Sequence, residues 1–223
     1  MDRRVMGHLL HLDASARRAS FSRALSGTFA RTWREADPGG AYTYRDLAVD
    51  QVPHVNEAWT ELCYAVLAQG ITDIGRYREV VRTPAQADAW AIVEPLLAEL
   101  EAADVVLIGT PMYNYSVPSA LKAWIDQVTF PKMSLKGRTF VVAGARGGAY
   151  GPGTPRESFD HEERFLRDFL LGHFGVDDVV FIHAELTNSL IDPALAGLRD
   201  KHERSYEAAM ETAAELGGKL AGR

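Results

Sequence analysis

One cysteine, Cys63, is all the chain has, which excludes a disulfide framework and a cysteine-rich metal site within one chain. Its apolar surroundings read as core, with the thiol a small packing group rather than a nucleophile. No run of 18 apolar residues occurs, so no stretch reads as a membrane-spanning helix. The opening MDRRVMGHLLHLD has no apolar signal-peptide core, and the expectation is a soluble cytoplasmic protein. Positive charge is not in excess. The net charge is −6 with both signs interspersed, which argues against nucleic acid as a partner. The seven histidines are scattered, with no His-x-x-x-His pair, so no metal site is expected. Internal repeats, low-complexity tracts and interdomain linkers are also missing.

What is there suits one domain over residues 1–223, since 223 residues that are 47% hydrophobic can bury an ample core. Short apolar runs alternate with helix-period segments. Val5 to Leu12 reads as a first strand, interrupted by His8 and His11, and a helix follows from about Ser20 to Glu35 until Asp37-Pro-Gly-Gly40 stops it. Ala41 to Leu47 alternates as a second strand. Val52 to Thr83 reads as mostly helical, loosening between Gly70 and Gly75. Thr83, Pro84 and Gln86 form the pattern of a capping box at the head of a helix to Ala102, with Pro95 expected to kink it. Further strands are predicted at Val105–Gly109, Thr139–Ala143 and Val179–His183. Helices are predicted at Asp160–Phe174, stopped by Gly175, and from Pro193 to about Leu216. Strands alternating with helices imply an α/β fold with a doubly wound parallel sheet.

The organising stretch is Asp104 to Val128. Val105 to Ile108 is apolar throughout, as a strand buried on both faces is. Val117, Leu121, Trp124, Ile125 and Val128 then fall on one helix face, with Pro118 suited to its first turn. Lys122 and Asp126 are spaced as a surface pair. Between strand and helix lies a loop at the carboxyl end of a parallel strand, where open α/β sheets bind ligands. This segment, PMYNYSVPSALKAWID, resembles the P-x-Y-N-(F/Y)-x-x-P-x-x-L-K-x-x-x-D pattern of the FMN-dependent NAD(P)H:quinone oxidoreductases and azoreductases. The resemblance extends from Leu9 to Leu220. It implies a flavodoxin-like fold: five parallel strands in the order 2-1-3-4-5, helices on both faces, and FMN at the switch point between the first and third strands.

Three loops carry that resemblance. Ser15 to Ser22 follows the first strand and opens a helix, whose free N–H groups suit a phosphate; the bare residues by themselves favour an ordinary serine cap. In the family the pattern S-x(4)-S-x-S holds the FMN phosphate, which implies roles for Ser15, Ser20, Phe21 and Ser22. The family's proline after the first serine is Ala16 here, and Arg17 and Arg18 add positive charge. The second loop, Pro111, Met112, Tyr113, Asn114 and Tyr115, would line the edge and face of the flavin ring, with a backbone N–H near Asn114 approaching N5. The third, Ala145, Arg146, Gly147 and Gly148, resembles a (T/S)-(S/R)-x-G-G segment whose N–H groups meet the ring edge that gains negative charge on reduction. The family's serine or threonine is Ala145 here, so one side-chain bond to the flavin is missing. Asn114, Gly147 and Gly148 are thus the backbone positions implied to serve the reacting ring, and either Arg146 or the Gly147 and Gly148 N–H groups are implied to stabilise the anionic reduced flavin.

His173 and His183 fall near positions where the family places aromatic side chains in its substrate pocket, and Tyr150, just past the glycine pair, is a further candidate for the pocket wall. Read as residues alone, they are equally a loop tyrosine, a histidine at a helix end and a histidine at a strand end. The resemblance also implies a long hairpin covering the flavin before the fourth strand. Only Thr129 to Gly137 stands there, whereas Gly148 to Pro155 has the Gly-Pro content of a mobile lid. The implied activity passes two electrons from NADH or NADPH through FMN to a quinone, azo or related small molecule, in a homodimer. A flavin reductase or biosynthetic tailoring reductase, and a non-enzymatic flavodoxin-like electron carrier, remain as alternatives.

Overall fold

The computed structural model describes residues 7–221. The chain runs β1 (His8–Asp13), α1 (Phe21–Ala36), β2 (Ala41–Asp46), α2 (Glu57–Ala68), α3 (Pro84–Ala102) and β3 (Val105–Pro111). It continues with α4 (Ser119–Val128), β4 (Thr139–Ala145), α5 (His161–Phe174), β5 (Val179–Ala184) and α6 (Arg199–Leu220). Val5 and Met6, expected in β1, lie outside the described residues. The strands form one all-parallel sheet in the order β2-β1-β3-β4-β5. In register, Asp13 pairs with Asp46 and Gly109, and Pro111 pairs with Ala145. β1 and β2 therefore end level with each other, and β3 and β4 end together two residues further on.

Alternate strand residues feed two cores. Leu10, Leu12, Val106, Ile108, Phe140 and Val142 face α2 to α5, while Leu9, Val105, Leu107, Val141 and Ile182 face α1 and α6. The central strand β3 is buried along its whole length, which explains its unbroken apolar run. The histidines of β1 are accommodated by neighbours on β2: His8 Nε2 lies 2.8 Å from Thr43 Oγ1, and His11 Nδ1 lies 2.9 Å from Tyr42 Oη. Helix α6 crosses α1 so closely that a Cβ at Gly217 would come within 2.4 Å of the Phe29 carbonyl oxygen.

The helix ends follow their caps. Ser20 caps α1, accepting from the Arg23 N–H, and Thr83 with Gln86 completes the capping box of α3. Gly175 ends α5 in the left-handed region at φ 66°. α3 runs without interruption through Pro95, which sits exposed. Between α2 and α3 the expected helix shrinks to a 3-10 segment, Ile74–Val80, and a second such segment, Pro193–Leu198, precedes α6. Lys122 and Asp126 pair at 2.6 Å on α4. Cys63 is buried, and burial pushes its thiol up to about 12, so it stays protonated at neutral pH.

The short connection from α4 to β4 corrects one expectation. Phe130 packs there against Tyr77, Trp59 and Trp90, and the Arg138 guanidinium donates to the Ala103 carbonyl oxygen just before β3. The segment lies at the amino end of the sheet, so its length does not govern access to the carboxyl end.

Candidate active site

The loops after β1, β3, β4 and β5 enclose one cleft of about 430 Å³ at the carboxyl end of the sheet. It brings together Ser15, Ser20 and Phe21 from the first loop, Pro111 to Tyr115 from the second, and Ala145, Gly147 and Tyr150 from the third.

The first loop ends at the Ser20 cap. The Phe21 and Ser22 N–H groups, in the first turn of α1, have no partner among the described residues. Ser15 is buried and its Oγ accepts from the Arg17 N–H at 3.3 Å. Ser22 is placed differently from its expected role: its side chain is fully buried, with Oγ 3.3 Å from Ser20 Oγ, so only its N–H is available to the cleft.

The second loop is a two-residue hairpin. Tyr113 and Ser116 exchange both backbone hydrogen bonds, at 2.9 and 3.0 Å. Asn114 and Tyr115 between them both take positive φ, 50° and 68°. Paired left-handed residues are the signature of a type I′ turn, tolerated by asparagine and costly for tyrosine. The turn leaves the Asn114 and Tyr115 N–H groups without partners among the described residues. The Met112 N–H, in contrast, is taken by the Ala145 carbonyl at 2.9 Å. Tyr113 and Tyr115 are 38% and 42% exposed, and the Tyr115 ring leans on Phe159, also exposed.

The third loop is braced by a segment whose importance the sequence did not announce. Leu186, Thr187 and Asn188 donate their N–H groups to the carbonyls of Gly148, Arg146 and Gly147 at 3.0–3.2 Å. All the carbonyls of the Arg146–Gly148 turn are thereby occupied, and the Gly147 and Gly148 N–H groups remain without partners among the described residues. A Cβ on Gly147 would stand 2.6 Å from Asn188 Nδ2, so any larger residue there would have to displace the Asn188 side chain. Thr187, Asn188 and Arg156 complete the cleft wall.

Phe21 at the serine-lined helix start, Asn114 and Tyr115 in the strained aromatic turn, and Gly147 of the glycine pair thus line one space, each with an N–H unpaired among the described residues, while Gly148 lines an adjoining cavity. A phosphate at the first and a planar, acceptor-edged ring between the others would satisfy them, which is the donor set FMN requires. A model of the family with a flavodoxin-like fold matches residues 7–209. The FMN-dependent NADH:quinone oxidoreductase of Nocardia farcinica is 63% identical over 212 residues, covering 95% of this chain and 98% of that protein. That of Frankia casuarinae is 39% identical over 218 residues, 93% of this chain and 97% of that one. The chain belongs to the flavodoxin-like family of FMN-dependent NADH:quinone oxidoreductases. An azoreductase structure from Bacillus anthracis superposes with a TM-score of 0.78 at 21% identity, over 96% of this chain and 100% of that one, and shares the fold.

In this flavodoxin-like chain Arg146 is not where its expected role needs it. Its side chain is 2% exposed and turned under the cleft floor among four acidic side chains: Asp160 at 2.9 Å, Glu163 at 3.5 Å, Glu162 at 3.6 Å and Glu185 at 3.7 Å. The backbone of the turn faces the cleft, while the charge serves a buried network. Arg146, Asp160, Glu163 and Glu185 line a second cavity of about 530 Å³, behind Tyr150, with Glu162 buried beside them. Glu162 is wholly buried, and burial pushes its carboxyl up to about 8 despite the nearby guanidinium. Glu163 is held at about 2, chiefly by its hydrogen bond to His183 at 2.9 Å, with Arg167 adding to it. His183 is itself shifted down by burial, so it is neutral near pH 7. It lines this second cavity rather than the cleft, lying so tightly over Gly144 that a Cβ there would meet Nδ1 at 2.3 Å.

His173 is a clearer correction. It occupies the last turn of α5 against Phe169, and the adjacent Phe174 carbonyl accepts from the Leu135 N–H before β4. That is the amino end of the sheet, away from the cleft. Tyr150 is 6% exposed and lines both cavities, a wall between them and not a loose lid residue. No helix among the described residues is long and apolar enough to cross a membrane.

Proposed function

We propose that this protein oxidises NADH and reduces a quinone or related small acceptor, using FMN held in the cleft at the carboxyl ends of β1, β3 and β4. One observation carries the reading: unpaired N–H groups from three separate loops converge on a single cleft in a chain 63% identical to an FMN-dependent NADH:quinone oxidoreductase. Bound FMN supplies the two-electron chemistry that no side chain of the cleft could perform. The protein's own share is binding and electrostatics. Ser15, Ser20 and the N-terminus of α1 would take the phosphate. Pro111, Met112 and Tyr113 would pack on the ring, Asn114 and Tyr115 would donate along its central edge, and Gly147 and Gly148 would donate where negative charge develops. Tyr115 and Tyr150 would confine the acceptor over the ring and exclude water.

The exposed trio Tyr113, Tyr115 and Phe159 at the cleft mouth supports a homodimer in which a second copy covers the ring. In this reading the whole chain acts as one domain, in the cytoplasm, where NADH is available. Steady-state NADH oxidation with menadione tests the enzyme reading. Turnover dependent on added FMN and menadione is the expected result, whereas an electron carrier would show almost none.

A further inference from the structure

We propose that Arg23 is a positioning residue for the phosphate end of the cofactor, acting by holding the Ser15–Ser20 loop in its receiving shape. The inference rests on the FMN reading and deepens it. No backbone–backbone hydrogen bond crosses the loop from Ser15 to Ser20 among the described residues. Its two ends are joined instead through one residue. The Arg23 N–H donates to Ser20 Oγ at 3.2 Å, fixing the end that opens α1. The Arg23 guanidinium reaches back, and Nη2 donates to the Ser15 carbonyl at 2.7 Å, fixing the end that leaves β1.

The guanidinium is in turn anchored from below. Nη2 also donates to Asp46 Oδ1 at 2.7 Å, at the end of β2, and Nη1 lies 3.4 Å from Asp13 Oδ2, at the end of β1. Nη1 donates to Tyr44 Oη at 3.1 Å, and the Tyr44 hydroxyl donates to the same Asp13 oxygen at 3.0 Å. Burial and Asp13 push that phenol up to about 12, so it keeps its proton. Ser26 Oγ donates to the other Asp13 oxygen at 2.8 Å, and Asp46 is held below the usual carboxylate range chiefly by Arg23. The clamp therefore has a defined seat on two strand ends.

Two carboxylates against one guanidinium leave no positive charge to offer a ligand. The side chain is only 13% exposed and does not line the cleft, whereas Arg17 does. Arg23 thus acts through the loop and not by touching the phosphate. The fork is essential to this role. A lysine carries the same charge but a single donor group, which cannot span Ser15, Asp46, Asp13 and Tyr44 together.

The phosphate is what distinguishes FMN from riboflavin, so the comparison of the two isolates this end of the site. Fluorescence titration of apoprotein measures both affinities for the wild type, Arg23→Lys and the milder Tyr44→Phe, with apoprotein melting temperature recorded for each. Arg23→Lys is expected to lose about tenfold or more in FMN affinity while riboflavin affinity stays within about twofold, with Tyr44→Phe shifted the same way by less. Equal losses for the two flavins, or an unchanged preference in a folded variant, would overturn the clamp and leave the FMN reading standing. A wild type that prefers neither flavin would overturn both. Should Arg23→Lys not fold, an unchanged preference in Tyr44→Phe overturns the clamp.

Discussion

The ring centroid of Tyr150 lies 6.0 Å from the guanidinium carbon of Arg146, and the ring forms the partition between the cleft and the charged cavity behind it. The Tyr150 N–H is fixed to Glu185 at 2.8 Å, and its ring meets Tyr115 edge-on at 6.3 Å. The partition keeps the Arg146 guanidinium and its acidic partners out of contact with the space assigned to the flavin and acceptor.

Replacing Tyr150 with alanine should therefore do two things. Loss of a buried aromatic ring costs about 3 kcal/mol of stability, read as a lower midpoint in urea unfolding. It also removes the wall against which an acceptor is confined. Reoxidation by quinone should slow by about tenfold, while reduction by NADH changes little. Equal slowing of both steps would instead mean that Tyr150 holds the flavin.

Ser20→Asp separates the two jobs of the cap residue. Aspartate caps a helix as well as serine does, so α1 and the melting temperature should be preserved. The added carboxylate would sit where a phosphate is received, and FMN affinity should fall by at least about tenfold, with riboflavin far less affected. Unchanged FMN occupancy on gel filtration would remove the phosphate from this loop.

Much of this arrangement was legible in the sequence because it depends on local signals. Five strands and the three cleft loops follow from periodicity, glycines, serines and the PMYNYSVPSALKAWID segment, while the order of the sheet is implied only by the family resemblance. What stayed hidden depends on distant partners. Arg23 reads as one more charge on an amphipathic helix, and only the fold brings it to Ser15, Asp46 and Asp13. The acidic run Asp160, Glu162 and Glu163 reads as ordinary first-turn acidity of a helix. Its burial against Arg146 is a property of α5 docking on β4 and β5. The bracing of the glycine turn by Leu186, Thr187 and Asn188 is pure backbone bonding, with Leu186 at φ 61° and no glycine to mark it. Arg146 and His173 were misplaced for one reason. Position along the chain places a backbone at the right strand or helix, but not the direction of a side chain or the end of the sheet it reaches.

The buried Glu162 makes stability depend on pH. Its folded value of about 8 lies above the ordinary 4.5, so the folded protein keeps a proton that the unfolded chain gives up. Its contribution is full below about pH 4.5 and is lost as pH rises toward 8. Glu163, held at about 2, acts in the opposite window, losing its contribution as pH falls below 4.5. Glu162→Gln should flatten the decline in urea-unfolding stability between pH 5 and 8, leaving the acid limb in place. A variant with the same slope as the parent would show that Glu162 is ionised in the folded protein.

Anaerobic stopped-flow absorbance on the FMN-loaded protein tests the central claim most directly. Mixing with NADH should bleach the visible flavin band, and mixing the reduced protein with a quinone should restore it, each step fast enough to sustain steady-state turnover. A flavin band that NADH leaves unchanged, or one that quinone fails to restore, would contradict the assignment of this cleft.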